Sequence, residues 1–198
     1  MLKQLTAATL LLLASACVPP PEDTASKPPP TSTAPVTNPT VGGAVMVPTR
    51  SILENAAASS EHSTLVSAVR AAGLDSTLSG SGSYTLFAPT NAAFGRLPKG
   101  TVDTLLNPAN KSELARLLNY HVVPGRKTRS QIAADVRAGS RAAVYTTAAG
   151  SIVRVSLEGD RIVLTDVHNG RSIVTTADVQ QANGVMHVVD AVLVPQLR

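Results

Sequence analysis

Residues 84–94 read YTLFAPTNAAF and carry the strongest local structural signal in the sequence. Its first five residues are mostly apolar and β-prone, which predicts a short buried strand that the proline then breaks, because proline cannot donate to a strand ladder. Thr90 or Asn91 can cap a following helix with a side-chain oxygen. Phe94 lies within that helix and is predicted to turn toward the core. The stretch therefore predicts a strand followed directly by a helix.

Two further stretches carry polar side chains in apolar surroundings. Residues 184–195 read GVMHVVDAVLVP, and the apolar run from Val185 to Val194 predicts a strand that is buried on both faces. Residues 119–123 read NYHVV and join a predicted helix to a predicted strand. Buried polar groups here, His187 and Asp190 included, need partners, because an unsatisfied donor or acceptor costs about 1–3 kcal/mol.

The three stretches together resemble the fasciclin (FAS1) domain family, in the family's order. Residues 84–94 resemble its first signature block, T-x-F-A-P-T-[ND]-x-A-F, residues 119–123 its central Tyr-His motif, and residues 184–195 its second signature block. The resemblance covers roughly residues 47 to 197. It implies an α+β FAS1 fold, a β-wedge of about seven strands with helices packed along one side.

The resemblance also implies a function and a set of signature residues. Fasciclin domains serve as adhesion modules with no known cofactor, and in animal members the Tyr-His region is tied to integrin binding. Tyr120 and His121 match that motif, so they form the candidate adhesion surface, with Leu117, Leu118, Val122 and Val123 beside them. The matching signature residues are Phe87, Ala88, Pro89, Thr90, Asn91, Phe94, Gly184, His187 and Asp190.

Periodicity supports the same fold class without the resemblance. Capping-box spacing at Ser51 and Glu54, and helical spacing of apolar residues over 65–72, predict helices in the first half of the domain. After residue 124, alternating apolar residues and a hairpin turn at 158–160 predict strands. Helices that precede strands indicate an α+β domain rather than a regular βαβ alternation.

The N-terminus predicts export. Lys3 precedes an apolar run from Leu5 to Ala16 that is too short to span a bilayer, so residues 1–16 are predicted to be a signal peptide. Cys17, the only cysteine, follows small residues as in the lipobox of bacterial lipoproteins, and we expect it to be lipidated. The alternative is an ordinary secreted protein with an incidental cysteine. Val18 in place of Asp favours the outer membrane under the enterobacterial sorting rule, and the side of the membrane that the domain faces stays open.

Residues 17–48 are predicted to be a disordered, lipidated tether, and residues 49–198 the FAS1 domain. The tether is rich in proline and threonine and has no aromatic residue, so it buries too little apolar surface to repay ordering. The domain has to fold with a largely aliphatic core, since only 3% of the chain is aromatic.

No catalytic or metal-binding pattern stands out in the sequence. We expect a protein that is not an enzyme and that binds neither a cofactor nor a metal, because the four histidines, His62, His121, His168 and His187, lack metal-ligand spacing and no serine occupies a nucleophile elbow. For His121 and His187, a structural role with satisfied ring nitrogens is the preferred interpretation.

The partner is predicted only by class. The net charge of +4 is modest, but Arg126, Lys127, Arg129, Arg137 and Arg141 lie close in sequence and can meet an anionic surface. Nucleic acid is not expected, because no aromatic residues interleave these cations.

Three functions therefore stay open. The preferred one is an envelope-anchored adhesion module, located in the outer membrane or periplasm or at the cell surface, that binds a surface protein or a polysaccharide. The second is a periplasmic scaffold lipoprotein that contacts a protein partner, and the third is a small-molecule binder or cryptic hydrolase with a pocket beside His121. The sequence leaves the oligomeric state open.

Overall fold

A computed structural model describes residues 39–80, 82–98 and 100–196. The helices are α1 (Ile52–Ala58), α2 (Ser63–Ala72), α3 (Asp75–Ser79), α4 (Asn91–Gly95), α5 (Thr101–Leu106), α6 (Lys111–Tyr120) and α7 (Arg129–Ala138), with 3-10 turns at Ser60–His62 and Pro108–Asn110. The strands are β1 (Thr40–Val41), β2 (Ala44–Val45), β3 (Tyr84–Pro89), β4 (Val122–Pro124), β5 (Ala142–Thr146), β6 (Ile152–Glu158), β7 (Arg161–Thr165), β8 (Arg171–Gln181) and β9 (Gly184–Val189). Within these ranges, no helix is both long and apolar enough to cross a membrane.

The folded domain begins earlier than the composition predicts. Strands β1 and β2 form a small antiparallel hairpin, and Val41 and Met46 are buried in the same core as the first helices. The prediction of a disordered tether is therefore wrong for residues 39–48, because a few apolar residues among the prolines suffice to anchor this segment. The predicted signal peptide, Cys17 and the tether up to residue 38 lie outside the described residues.

Strands β3 and β9 form the centre of the domain. They pair in parallel, with Phe87 opposite His187, and both are covered on each face. Because side chains alternate along a strand, Leu86 and Met186 point into a core formed with the helices, whereas Phe87 and Val189 point into a second core enclosed by the sheet. We call these the helix-side core and the sheet-side core.

The helix-side core includes the predicted helices α1, α2 and α4, and also α3, which the sequence does not predict. The capping box predicted at Ser51 and Glu54 starts α1, and Gly73 ends α2 in the left-handed conformation with φ 71°. The Thr90 hydroxyl caps α4 by accepting a hydrogen bond from the Ala93 N–H at 3.2 Å. Phe94 is buried in this core, so residues 84–94 form the strand and helix that the sequence predicts.

A seven-stranded sheet encloses the sheet-side core. Its order is β4-β3-β9-β8-β7-β6-β5, antiparallel except for the β3–β9 pair. The two edge strands approach each other, and the Ala148 N–H donates to the Val122 carbonyl at 2.8 Å, so the sheet nearly closes. Helix α7 buries Ile132 and Val136 against this core.

The predicted α+β class, with about seven strands in the main sheet and packed helices, is confirmed. One detail differs. The strand predicted for Val185 to Val194 ends at Val189. At the next residue, the Asp190 N–H donates to the Ile173 carbonyl at 3.1 Å, and the Asp190 carboxylate accepts from the Ile173 N–H at 2.7 Å.

Candidate functional site

The Tyr-His motif lies where α6 passes into β4. Tyr120 is the last residue of α6, and His121 is its C-cap, with its N–H donating to the Leu118 carbonyl at 3.0 Å. The His121 carbonyl accepts from the Phe87 N–H at 2.9 Å, which joins the end of the helix to the central strand β3. The motif therefore lies at the junction of the helices with the sheet.

Tyr120 links this junction to strand β6 of the sheet. Its side chain is buried in the sheet-side core, and its hydroxyl donates to the Ile152 carbonyl at 2.7 Å. Burial raises the pKa of Tyr120, with the nearby Asp166 carboxylate as a second cause. The hydroxyl is thus a permanent donor that links α6 to β6.

The buried ring of His121 is bonded at both nitrogens. Nδ1 lies 2.8 Å from the Leu117 carbonyl and must donate to it, because a carbonyl only accepts. Nε2 then carries no proton and accepts from the Leu193 N–H at 3.0 Å. Burial lowers the pKa of His121 to about 4, so the imidazole is neutral at physiological pH.

His187 shows the same arrangement with the opposite tautomer. Its Nδ1 accepts from the Asp178 N–H at 3.2 Å, and its Nε2 donates to the Lys127 carbonyl at 2.8 Å. The ring stacks on Phe87 with the ring centroids 5.6 Å apart, and burial lowers its pKa. The preferred interpretation of His121 and His187 as satisfied structural histidines is confirmed.

The prediction that the Tyr120 and His121 side chains contribute to an adhesion surface needs correction. Both are fully buried, and their four apolar neighbours, Leu117, Leu118, Val122 and Val123, are buried as well. The physical reason is that these residues fill the space between α6 and the sheet. Whether the region around the motif binds a ligand stays a prediction, and any such ligand meets other side chains.

Most of the other signature residues also have structural roles. The Asn91 side chain accepts from the Thr64 N–H at 3.0 Å, and Asp190 pairs with Arg96 at 3.1 Å. Gly184 packs so closely against β3 that a Cβ would collide with the Tyr84 carbonyl oxygen. These contacts join successive parts of the chain and leave little of the signature exposed.

An exposed patch lies directly outside the Tyr-His junction. Ile152, whose carbonyl receives the Tyr120 hydroxyl, is 50% exposed, and Val144 and Val167 are 56% and 36% exposed. Val144 and Ile152 share the outward face of the β5–β6 pair, where Ile152 stands opposite Thr146 and Val144 opposite Arg154.

Two shallow depressions of about 400 and 190 Å³ adjoin this patch, and both are lined by Ile152 and Val167. Arg116 lines the first and Arg154 the second. Neither arginine forms an ion pair with any residue that the structure describes. We call the set Arg116, Val144, Ile152, Arg154 and Val167 the Ile152 patch; its centre is apolar and its rim is basic.

This patch is not predicted from the sequence, although a signal for it exists there. In β6, the side chains of Val153 and Val155 are buried, whereas Ile152 lies on the opposite, exposed face together with Arg154. Likewise Val144 lies between the inward residues Ala143 and Tyr145. Apolar β-branched residues at the alternating positions that otherwise carry polar side chains indicate an exposed apolar surface on the strand.

The site offers little for catalysis. Both nitrogens of His121 are bonded within the fold, so neither is free to act as a general base. Among the described residues, no group of three or more His, Cys, Asp or Glu side chains is placed to hold a metal ion. The arrangement is suited to contact through surface side chains on a rigid frame.

Comparisons with known proteins agree with this fold. Residues 60–195 match the family profile of the Fasciclin domain. The chain is 42% identical over 146 residues to Protein sll1483 of Synechocystis sp., a match that covers 74% of each chain. It is 35% identical over 132 residues to transforming growth factor-beta-induced protein ig-h3 of Sus scrofa, covering 67% of this chain and 17% of that protein.

Among solved structures, a FAS1 domain pair from the insect cell adhesion molecule Fasciclin I superposes with a TM-score of 0.66 at 18% sequence identity. The match covers 77% of this chain and 52% of that chain, so the present chain spans about half of the solved pair. The nearly closed sheet and the helices packed on it form a single fold of the FAS1 type. The chain belongs to the fasciclin domain family.

Proposed function

We propose that this protein is an envelope-anchored adhesion module that binds a ligand on another surface through the Ile152 patch. Fasciclin domains occur in extracellular and secreted proteins, and the solved domain pair comes from a cell adhesion molecule. These relatives support an adhesive role, and the family is not one of enzymes. The ligand itself is a surface protein or a polysaccharide.

One observation carries the choice of surface. Of the four large apolar side chains that are exposed in the described residues, three belong to the Ile152 patch, and the fourth is Val45. Binding interfaces concentrate their energy in a few central apolar contacts surrounded by a polar rim. A patch on strands that are fixed by Tyr120 loses little freedom on binding, which favours affinity.

Anchoring through Cys17 completes the proposal. Lipidation of this cysteine would fix the chain to a membrane, and the proline-rich segment after it would carry the domain away from that membrane. The alternative role, a scaffold that contacts a periplasmic partner, uses the same anchor but does not require the domain to reach the cell exterior.

Substitution of the patch tests the proposal. Beads coated with the full-length protein are incubated with intact producing cells and with a basement-membrane film, and Ile152→Asp is compared with wild type. We expect this variant to lose most bead attachment, whereas Val45→Asp, an equally exposed apolar residue elsewhere, retains it. Equal attachment of both variants and wild type would reject the Ile152 patch as the adhesive surface.

A further inference from the structure

A second surface lies along α7, away from the Tyr-His junction. Three depressions of about 590, 440 and 590 Å³ follow the boundary between α7 and strands β6 to β8. The first and second share Arg129 and Asp160, and the second and third share Arg137 and Leu157. Adjacent depressions thus share lining residues, and we call the three together the α7 groove.

Each carboxylate of this groove has a cationic or N–H partner within the protein, although the Asp160 side chain is fully exposed. Asp178 accepts a hydrogen bond from the Arg129 N–H at 2.7 Å, and Asp160 lies 3.4 Å from the Arg129 guanidinium. Asp190, at the far end, pairs with Arg96 at 3.1 Å. The negative charges therefore have positive or N–H partners on the protein itself.

Three arginines of the groove have no such partner. Arg137 and Arg141 line one depression and Arg161 lines another, and none of the three forms an ion pair with a described residue. Each is exposed. The groove thus contains unpaired positive charge, which an anionic ligand can neutralise.

The turn after α7 fixes the position of Arg141. Ser140 and Arg141 both have positive φ, 55° and 88°, and the Arg141 N–H bonds the Val136 carbonyl at 3.1 Å. Two successive non-glycine residues in this region are costly and persist only when the surroundings enforce them. The turn keeps the Arg141 backbone beside the last turn of α7, which carries Arg137.

The arginines of the groove differ from the basic cluster that the sequence predicts. Arg126 donates to the Gln180 side chain and to the Gln181 carbonyl, both at 3.1 Å, and Lys127 pairs with Asp135 at 2.8 Å. These two cations have structural partners and lie outside the groove lining. Arg161, which is distant in sequence from this cluster, lines the groove instead.

We propose that the α7 groove binds a linear anionic polysaccharide. Arg161 lines the first depression, and Arg137 and Arg141 line the third, so the unpaired charges lie at both ends of the groove and suit a chain of repeated charges better than a single anion. Hydroxyl groups of Ser130, Ser140 and Thr175 line it and can bond sugar hydroxyls.

The residues that line the groove favour a polysaccharide over a single-stranded nucleic acid or an anionic lipid bilayer. Among the described residues that line the groove, none is aromatic, so bases of a single-stranded nucleic acid find no stacking platform. A lipid bilayer presents a broad surface, whereas the charges here line a concave groove. This binding is separate from the proposed adhesion, because the groove shares no residue with the Ile152 patch.

The test measures binding of the full-length protein to dextran sulfate and to polyguluronate of defined length, with neutral dextran as the control polymer. We expect Arg137→Gln/Arg141→Gln to weaken binding of the charged polymers roughly tenfold. The matched control, Arg50→Gln/Arg70→Gln, removes the same charge from two exposed arginines outside the groove and should bind like wild type. Raising the salt concentration should weaken wild-type binding further.

Three results would overturn the proposal. The first is charged-polymer binding no stronger than binding of neutral dextran, and the second is equal weakening in the two double variants, which would indicate a diffuse charge effect. The third is equal or tighter binding of single-stranded DNA or of vesicles with anionic lipid. Loss of bead attachment in Ile152→Asp with polymer binding intact would show that the two surfaces act independently.

Discussion

The Leu193 N–H donates a hydrogen bond to Nε2 of His121 at 3.0 Å, across 72 residues of sequence. The same ring donates from Nδ1 to the Leu117 carbonyl, so one buried imidazole joins α6 to the segment that follows β9. The Tyr-His motif and the second signature block are therefore in direct contact. The motif stabilises the fold from the interior, and ligands have to meet the surface outside it.

Replacing His121 with leucine should destabilise the domain strongly. The variant leaves the Leu117 carbonyl and the Leu193 N–H buried without partners, and each unsatisfied group costs about 1–3 kcal/mol. We expect the free energy of unfolding to fall by about 2–5 kcal/mol. Urea denaturation measures this change. His168→Leu, at an exposed loop, is the control and should have little effect. A His121→Leu domain as stable as wild type would contradict the structural role.

Stability should decrease as the pH falls below about 6.5. Burial lowers the pKa of His62, His121 and His187, and that of His121 falls to about 4. Between these pH values the unfolded chain binds more protons than the folded domain, so the contribution of neutral His121 is complete above pH 6.5 and is lost toward pH 4.

The expected loss from His121 alone is about 3 kcal/mol over this pH range. Urea denaturation of wild type at a series of pH values from 4 to 8 gives the curve, and His121→Leu should show a flatter one. Stability that rises as the pH falls from 6.5 to 4 would contradict the neutral, buried state of these rings.

Gly184→Ala should disrupt the β3–β9 pair. The added Cβ would collide with the Tyr84 carbonyl oxygen, and a backbone atom in a paired strand cannot move aside cheaply. We expect a loss of about 3 kcal/mol or more in the free energy of unfolding. The control is Gly95→Ala, where a Cβ meets no atom within 4 Å, and which should leave stability unchanged or raise it slightly. Equal stability of the two variants would contradict the close packing at Gly184.

Lipidation at Cys17 predicts how the protein is distributed in cells. With wild type, the domain should stay with membranes and be cleaved by protease added to intact cells. Cys17→Ala should release it into soluble fractions. If protease reaches the wild-type domain only after the outer membrane is opened, the periplasmic scaffold role is correct and the adhesive role is wrong.

The sequence alone predicted the fold well because its strongest signals are local. The strand–proline–helix pattern of residues 84–94, the capping box at Ser51 and the glycine stop at Gly73 all depend on neighbours in the chain. The start of the domain was predicted too late, because burial of Val41 and Met46 depends on contacts with distant helices.

The functional surface was harder to predict for the same reason. Tyr120 is a core residue because it packs in the sheet-side core with residues that are distant in sequence, and its hydroxyl bonds Ile152, 32 residues away. The pairing state of each arginine likewise depends on partners from other elements, as with Arg129 and Asp160. Charge and hydropathy along the chain do not determine these contacts.

Bead attachment should be compared for Tyr120→Phe and Ile152→Asp at a temperature where both domains are folded, because these variants separate the buried motif from the exposed patch. Tyr120→Phe removes only the buried hydroxyl that donates to the Ile152 carbonyl, so we expect lower stability but attachment within about twofold of wild type. Ile152→Asp should lose attachment and keep its stability within about 1 kcal/mol. Lost attachment in folded Tyr120→Phe, together with normal attachment in Ile152→Asp, would contradict the claim that the motif acts from the interior and the Ile152 patch meets the ligand.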